Sequence, residues 1–419
     1  MKILVTAFPI DPIGGILNYV ELLIKGLKDL NHDVQFRVVP YAGQTKNTTR
    51  GKGRVSYHSD EYGIGTGLNS NHQFPWQGAK LMRTHITSEM LEMNEYDLII
   101  HTTARVPIRK ETAGRNDLFR LFTTSYKPQI GIVHEPGLPE AYPYIANLRE
   151  SFSALVCVHE ATYNSCKGTG IPIAFIPNPH IISDEEMGST ITHRDFYCFS
   201  SHYWKRWKNL NRVMKTMTDL QSMTARCEIA GDGIDMRYAT SPDKVQKHLK
   251  DEGGLPLYQL AKDAGVAFGP HLPYQEQLRR MQHAMFFLEF GYSKKYNHYG
   301  CMFNRTIVEA MKCGAIPVAM KEALDGSEYF TEGENYLGVS FEETTEDYTD
   351  MISDQYFAWY KLKEMQERNW RLVKQFDYRK IAQEIIDAGL SEKGCDTYKQ
   401  DPDLVKQGNE KLKHFGALT

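Results

Sequence analysis

Short apolar runs, each closed by a polar or glycine-bearing turn and followed by a helical pattern, recur along this chain and leave it few ways to fold. The first is Ile3 to Ala7, which gives way to Phe8-Pro9-Ile10-Asp11-Pro12-Ile13-Gly14-Gly15. From Leu17 the residues Tyr19, Leu22, Leu23, Gly26, Leu27 and Leu30 follow at helical spacing, and Val34 to Val39 resumes an extended run. Strand, helix and strand in that order imply a parallel sheet. Asp97 to His101, Gln129 to His134 and Leu155 to His159 each carry an apolar strand to a histidine. Ligands gather outside the carboxyl ends of strands in such sheets, although each polar residue there could equally cap a helix.

A second series of the same kind starts at Phe196 to Phe199 and continues through Cys227 to Gly231, Val266 to Gly269, Met285 to Phe290 and Ile316 to Ala319. With 419 residues the chain also exceeds what one core usually supports. The expected architecture is α/β, with two Rossmann-like domains. Residues 1–185 form the first and 186–377 the second, joined by a connector from Pro177-Asn178-Pro179 to about Arg194. Tyr378 to Leu390 reads as a terminal helix returning to the first domain, and 378–419 then ends in a polar tail. Residues 42 to 80 are polar and glycine-rich and read as a long loop region.

Composition narrows the class. Hydrophobic residues make up 41% and charged residues 24%, an ordinary globular balance. Met285 to Phe290 is far too short to span a bilayer, and Met1 to Val5 reads as a buried strand rather than a signal segment, so no membrane insertion is expected. The seven cysteines, at 157, 166, 198, 227, 301, 313 and 395, are odd in number and show no pair two residues apart. That pattern favours buried thiols and a cytoplasmic location over a disulfide framework or a zinc site. A net charge of −3 does not make the whole surface a polyanion trap, but a local basic groove would suffice to bind nucleic acid. A monomer or small homo-oligomer is expected.

Several residues could carry chemistry. Gly14 and Gly15 lie at a strand-to-helix turn where the backbone can approach an anion, or where it simply turns. Trp204-Lys205-Arg206-Trp207-Lys208-Asn209 follows the first strand of the second series. Its cations suit a diphosphate, through charge-assisted contacts about twice as strong as neutral ones. The same run also reads as a solvated basic helix start or as a contact for nucleic acid. Phe303 to Val318 is the most specific stretch: a helix carrying Glu309, a glycine turn at Gly314, then a strand beginning Ile316-Pro317-Val318. Glu309 could accept both hydroxyls of a ribose. Its plainer reading is a surface glutamate favoured by the helix dipole, worth about 0.3–1 kcal/mol.

In their order, these pieces resemble the retaining glycosyltransferases of the GT-B fold. The likeness takes in the glycine pair, the histidine ending a mid-domain strand, the Asn-Pro connector, the basic turn, Gly231-Asp232-Gly233 and Glu309-Ala310-Met311 through Gly314 to Pro317-Val318. It spans about positions 1 to 390. A narrower likeness is to the DNA α-glucosyltransferases of T-even phages, carried by Phe290 to Lys295, Cys313 to Val318, Trp207-Lys208 and Val133-His134-Glu135. The resemblance implies a UDP-sugar as co-substrate in a cleft between the domains, with no prosthetic group and no metal. Gly14 and Gly15 would approach the donor phosphates, and Lys208, with Lys205 and Arg206, would neutralise the diphosphate. Gly231, Asp232, Asn304, Arg305 and Thr306 would complete the donor site, and Glu309 would hold the ribose. His134 would contact the donor sugar, while Glu135 would orient a hydroxyl or assist acceptor deprotonation. With no convincing enzymic nucleophile, leaving and attack would occur on one face, and catalysis would be positioning plus charge stabilisation.

Two positions depart from the pattern. A second glutamate is often found eight residues before the Glu309 equivalent, where this chain has Cys301, and the usual arginine five residues before the lysine is Tyr203. The sugar is therefore not carried over. For the acceptor, the narrower likeness implies double-stranded DNA with hydroxymethylated pyrimidines, reached by flipping the base. Arg105, Arg109, Lys294 and Lys295 are then the candidate contacts, or else solvated surface. The alternatives are a polysaccharide, lipid or small-molecule acceptor on the same fold, or a sugar-nucleotide epimerase or binding-only relative. A Rossmann dehydrogenase is disfavoured, because the first turn has no G-x-G-x-x-G.

Overall fold

A computed structural model describes residues 1–7, 15–38, 80–81, 95–102, 127–134, 152–183, 187–203, 208–232, 257–269, 272–292, 305–324 and 327–391. The chain divides into two compact units, Met1–Ile181 with the segment from Asp377 onward, and Ile182–Phe376.

The first unit is built on strands β1 (Lys2–Ala7), β2 (Asp33–Val38), β3 (Lys80–Leu81), β4 (Leu98–His101), β5 (Gln129–Val133), β6 (Phe152–Cys157) and β7 (Ile173–Phe175). They form one sheet in the order β3-β2-β1-β4-β5-β6-β7, with every pairing parallel. Parallel sheets are covered on both faces, which is why β4 and β5 are buried along their whole length. Helix α1 (Gly15–Asp29) follows β1, and α2 (Glu160–Cys166) follows β6. Strand order reverses between β1 and β4.

The terminal helix α10 (Tyr378–Leu390) belongs to this unit, its Ile381, Ala382, Ile385 and Ile386 sharing one core with Ile3, Val5, Leu23 and Ile130. It enters through a main-chain bond from Tyr378 N to His180 O of 2.9 Å. Gly26 of α1 allows the two helices to close: a Cβ there would stand 2.6 Å from the Tyr378 carbonyl oxygen and 2.8 Å from the Ala382 Cβ.

The second unit repeats the plan with β8 (Tyr197–Tyr203), β9 (Arg226–Asp232), β10 (Ala267–Gly269), β11 (Phe286–Glu289), β12 (Ile316–Met320) and β13 (Leu337–Val339). Their order is β10-β9-β8-β11-β12-β13, again all parallel, and the reversal lies between β8 and β11. Around them run α3 (Leu210–Ser222), α4 (Leu257–Asp263), α5 (Tyr274–His283), α6 (Arg305–Lys312), α7 (Lys321–Leu324), α8 (Thr345–Phe357) and α9 (Trp359–Val373). Gly231 and Asp232 are the last residues of β9, paired with His202 and Tyr203, rather than part of a turn. Seven-residue β8 runs on beside β9 and keeps both in the ladder.

Buried Arg194 ties this unit's entry segment to two helix ends. Its guanidinium donates to the carbonyls of Met281 in the last turn of α5, of Ala284 just after it and of Cys313 after α6, and to Ser189 O at 2.8 Å. Burial lowers its pKa to about 10, so it stays charged at neutral pH, matched by helix C-termini that favour a cation. Among the described residues Cys157, Cys166, Cys198, Cys227 and Cys313 are free, buried thiols.

Candidate functional site

In an open parallel sheet the ligand crevice lies beyond the strand ends where the order reverses. In the second unit that point is the end of β8 and of β11, and charged side chains meet there. Lys208 stands at the start of the segment into α3, and its Nζ lies 3.0 Å from Oε1 of Glu289, the last residue of β11. The Glu289 side chain is 0% exposed and that of Lys208 15%. Oε1 also accepts from Gly291 N at 3.2 Å, and Oε2 accepts from Thr306 Oγ1 of α6 at 3.3 Å. A buried carboxylate is tolerated only when paired and hydrogen-bonded, and here three elements supply the partners.

Asn209 fixes the approach of the lysine. Its backbone is left-handed, φ 47° and ψ 42°, a region that asparagine enters more readily than most residues. Its Nδ2 donates to Phe290 O at 2.6 Å and Tyr292 O at 3.0 Å, tying the turn after β8 to the end of β11.

Helix α6 is buried from Ile307 to Lys312. It stops at Gly314, whose φ of +79° needs no side chain, where Gly314 N bonds Met311 O and Ala315 N bonds Ala310 O. Glu309, 2% exposed, is held at Oε1 by Arg305 Nε, 2.5 Å away and one turn earlier. The other oxygen, Oε2, has no partner among the described residues. Arg305 also lies over the Tyr274 ring, 5.2 Å from its centroid. Burial disfavours the guanidinium charge, but Glu309 and Tyr274 together keep its pKa above the ordinary value.

The reversal point of the first sheet carries a neutral network. His101 is fully buried at the end of β4, its Nδ1 2.7 Å from Thr6 Oγ1 and its Nε2 2.9 Å from Gln129 Oε1. Just beyond β5, His134 donates from Nε2 to Thr102 O at 2.9 Å and meets the Tyr19 ring edge-on, with centroids 4.9 Å apart. His159 caps α2 through Nδ1, which accepts from Thr162 N, and donates from Nε2 to His134 O at 3.1 Å. Burial lowers the pKa of both His101 and His134 to about 4, so both rings are neutral at pH 7. With Nε2 carrying the proton, His134 keeps Nδ1 as an acceptor, and that atom has no partner among the described residues.

Of the residues singled out in the sequence, the structure brings Lys208 and Thr306 onto one carboxylate and pairs Arg305 with Glu309. Gly15 opens α1, Gly231 and Asp232 end β9, and His134 stands in the other unit. Gly14, Glu135, Lys205, Arg206, Asn304, Arg105, Arg109, Lys294 and Lys295 lie outside the described residues, as does Cys301. Glu289 was not expected. Its sequence signal is a lone carboxylate inside the run Met285-Phe286-Phe287-Leu288-Glu289-Phe290. Among the described residues no group of three or more His, Cys, Asp or Glu is placed to hold a metal ion.

No protein-family model matches the chain, and no curated protein matches it in sequence. Solved structures do match in fold. Anabaena HepE in complex with UDP is 17% identical, with a TM-score of 0.62 over 93% of this chain and 99% of that one. An alpha-glucosyltransferase in complex with UDP and a 13-mer DNA containing an HMU base is 12% identical, with a TM-score of 0.58 over 92% and 99%. The pneumococcal O-GlcNAc transferase GtfA, in complex with UDP and GlcNAc, is 11% identical, with a TM-score of 0.60 over 92% and 98%. The fold is that of the GT-B glycosyltransferases.

Proposed function

We propose that this chain is a retaining glycosyltransferase that moves a sugar from a UDP-sugar to a hydroxyl acceptor, and that the acceptor is a hydroxymethylated pyrimidine in DNA. The observation that carries the first part is the reversal point of the second sheet. There a lysine and a threonine meet a buried carboxylate at the strand ends, where a doubly wound sheet binds its ligand, and a second buried carboxylate, Glu309, follows Thr306 by three residues on the same helix. Solved structures of the same fold hold UDP.

Each residue is then assigned a task, which for Glu309, Lys208 and His134 rests on the geometry above. Oε2 of Glu309 accepts from a ribose hydroxyl while Arg305 holds Oε1. The Lys208 ammonium neutralises charge that develops on the departing diphosphate, with Lys205 and Arg206 of the same segment adding to it. His134, neutral at pH 7, accepts a donor-sugar hydroxyl at Nδ1. Gly14 and Gly15 let the backbone approach the phosphates at the start of α1. Glu135 orients the acceptor hydroxyl, which attacks from the face the nucleotide leaves. Support for DNA is narrower: the likeness of Phe290 to Lys295 and Cys313 to Val318 to the phage enzymes, and the DNA in one structure of the same fold. Arg105, Arg109, Lys294 and Lys295 are its proposed contacts.

The test is UDP release from a panel of UDP-sugars, with hydroxymethylcytosine DNA, hydroxymethyluracil DNA and plain DNA as acceptors. Release that requires a hydroxymethylated base, with a matching mass gain on that base, is the expected result. Release indifferent to DNA assigns the acceptor to a saccharide, lipid or small molecule. No transfer from any UDP-sugar removes the enzyme reading and leaves a binding-only relative.

A further inference from the structure

We infer that Glu289 is a positioning residue for Lys208, holding its ammonium aimed from inside the sheet; the inference rests on the donor-site reading above. The two groups come from the two strands that flank the reversal of the second sheet, one from the segment after β8 and the other from the last position of β11. A lysine in a turn carries rotamer entropy, which a fixed partner removes before a ligand arrives. Glu289 is such a partner, because it is itself fixed. Its carboxylate is fully withdrawn from water, and besides Lys208 it accepts from the Gly291 main chain and the Thr306 hydroxyl. The neighbouring Asn209 bonds to Phe290 O and Tyr292 O hold the two segments in register.

Stability alone is a poor reason for this pair. Phe286, Phe287 and Leu288 fill the rest of β11 and are all fully buried, and a further apolar side chain would continue the core. Replacing a buried ion pair by apolar groups is often neutral or stabilising. Two other charged residues on the described elements meeting here have partners of their own. Arg305 pairs with Glu309, and Arg212 of α3 donates to the Glu343 and Phe341 carbonyls. Glu289 is thus a buried, fixed carboxylate toward which Lys208 Nζ is drawn.

The experiment is equilibrium binding of UDP and of UMP to the full-length protein at about pH 7.5, where the ratio of the two affinities isolates the β-phosphate. The wild type should favour UDP by about tenfold or more, as for a hydrogen bond to a charged group, and Lys208→Ala should lose that preference. Glu289→Gln should reduce the preference severalfold. Glu289→Asp, which retains the charge and covers the case in which the glutamine variant does not fold, should reduce it by a smaller factor. A folded Glu289→Gln with the wild-type preference, or a Glu289→Asp with it where the glutamine variant does not fold, overturns the inference, provided Lys208→Ala removes the preference. A Lys208→Ala protein that still prefers UDP overturns the donor-site reading instead.

Discussion

Arg305 and Glu309 pair one helical turn apart on α6, Nε 2.5 Å from Oε1, with the arginine side chain 17% exposed and the glutamate 2%. Removing the arginine would leave a buried carboxylate with no counter-charge, a change that typically costs about 3–5 kcal/mol. Arg305→Ala is expected to destabilise the second unit by about 3 kcal/mol or more, read as a lower urea midpoint. Arg305→Lys should recover only part of it, because an ammonium lacks the guanidinium's planar fork and its stacking on Tyr274. An unchanged midpoint in the alanine variant would mean that Glu309 finds another partner.

The buried histidine of the first sheet predicts how that unit responds to acid. His101 titrates near 4 in the folded chain and near its ordinary value of 6.5 when unfolded. The unfolded state therefore binds more protons between those values. Stability from this residue is fully present above about pH 6.5 and is lost as pH falls toward 4, a change on the order of 3 kcal/mol. Acid titration of the wild type and His101→Gln should show a shallower decline for the variant across that window. Parallel declines would contradict the assignment.

At Gly26 two effects of opposite sign compete. Alanine in a helix interior is favoured over glycine by about 1 kcal/mol. Here its Cβ would collide with the Tyr378 carbonyl and the Ala382 side chain, and overpacking of a tight contact costs about 1–3 kcal/mol. Main chain gives way less easily than a side-chain tip, so the clash should win. Gly26→Ala is expected to lower the stability of the first unit by about 1–2 kcal/mol in chemical unfolding. A stabilised variant would show that α1 and α10 can separate at little cost.

How much of this was legible in the sequence varies with the kind of signal. The α/β class and the doubly wound plan were readable from β1, β5, β6, β11 and β12, because strands buried on both faces must be continuously apolar. The same apolarity hid Glu289: one carboxylate inside Met285 to Phe290 leaves the run reading as a core strand, and only tertiary structure shows Lys208 and Thr306 closing on it. Gly231-Asp232-Gly233 had turn composition, yet the ladder with β8 holds its first two residues in β9. The three-residue strands β7 and β13 are too short to show a period. Asn209 looked like an ordinary helix start, and its left-handed backbone and two carbonyl bonds appear only when β11 is beside it. The strand-end histidines were readable as positions, but their tautomers depend on the Thr102, Gln129 and His134 carbonyl and amide oxygens that face them.

The most direct test of the donor site is a calorimetric comparison of UDP with 2′-deoxy-UDP on the wild type and on Glu309→Ala. A hydrogen bond to a charged group contributes about 1.5–3 kcal/mol, roughly ten- to a hundredfold in affinity. The wild type should prefer UDP by about that factor, and Glu309→Ala should bind the two nucleotides equally while remaining folded. Equal binding by the wild type, or the same preference in both proteins, would contradict the placement of a nucleotide ribose at Glu309 and with it the proposed UDP-sugar site.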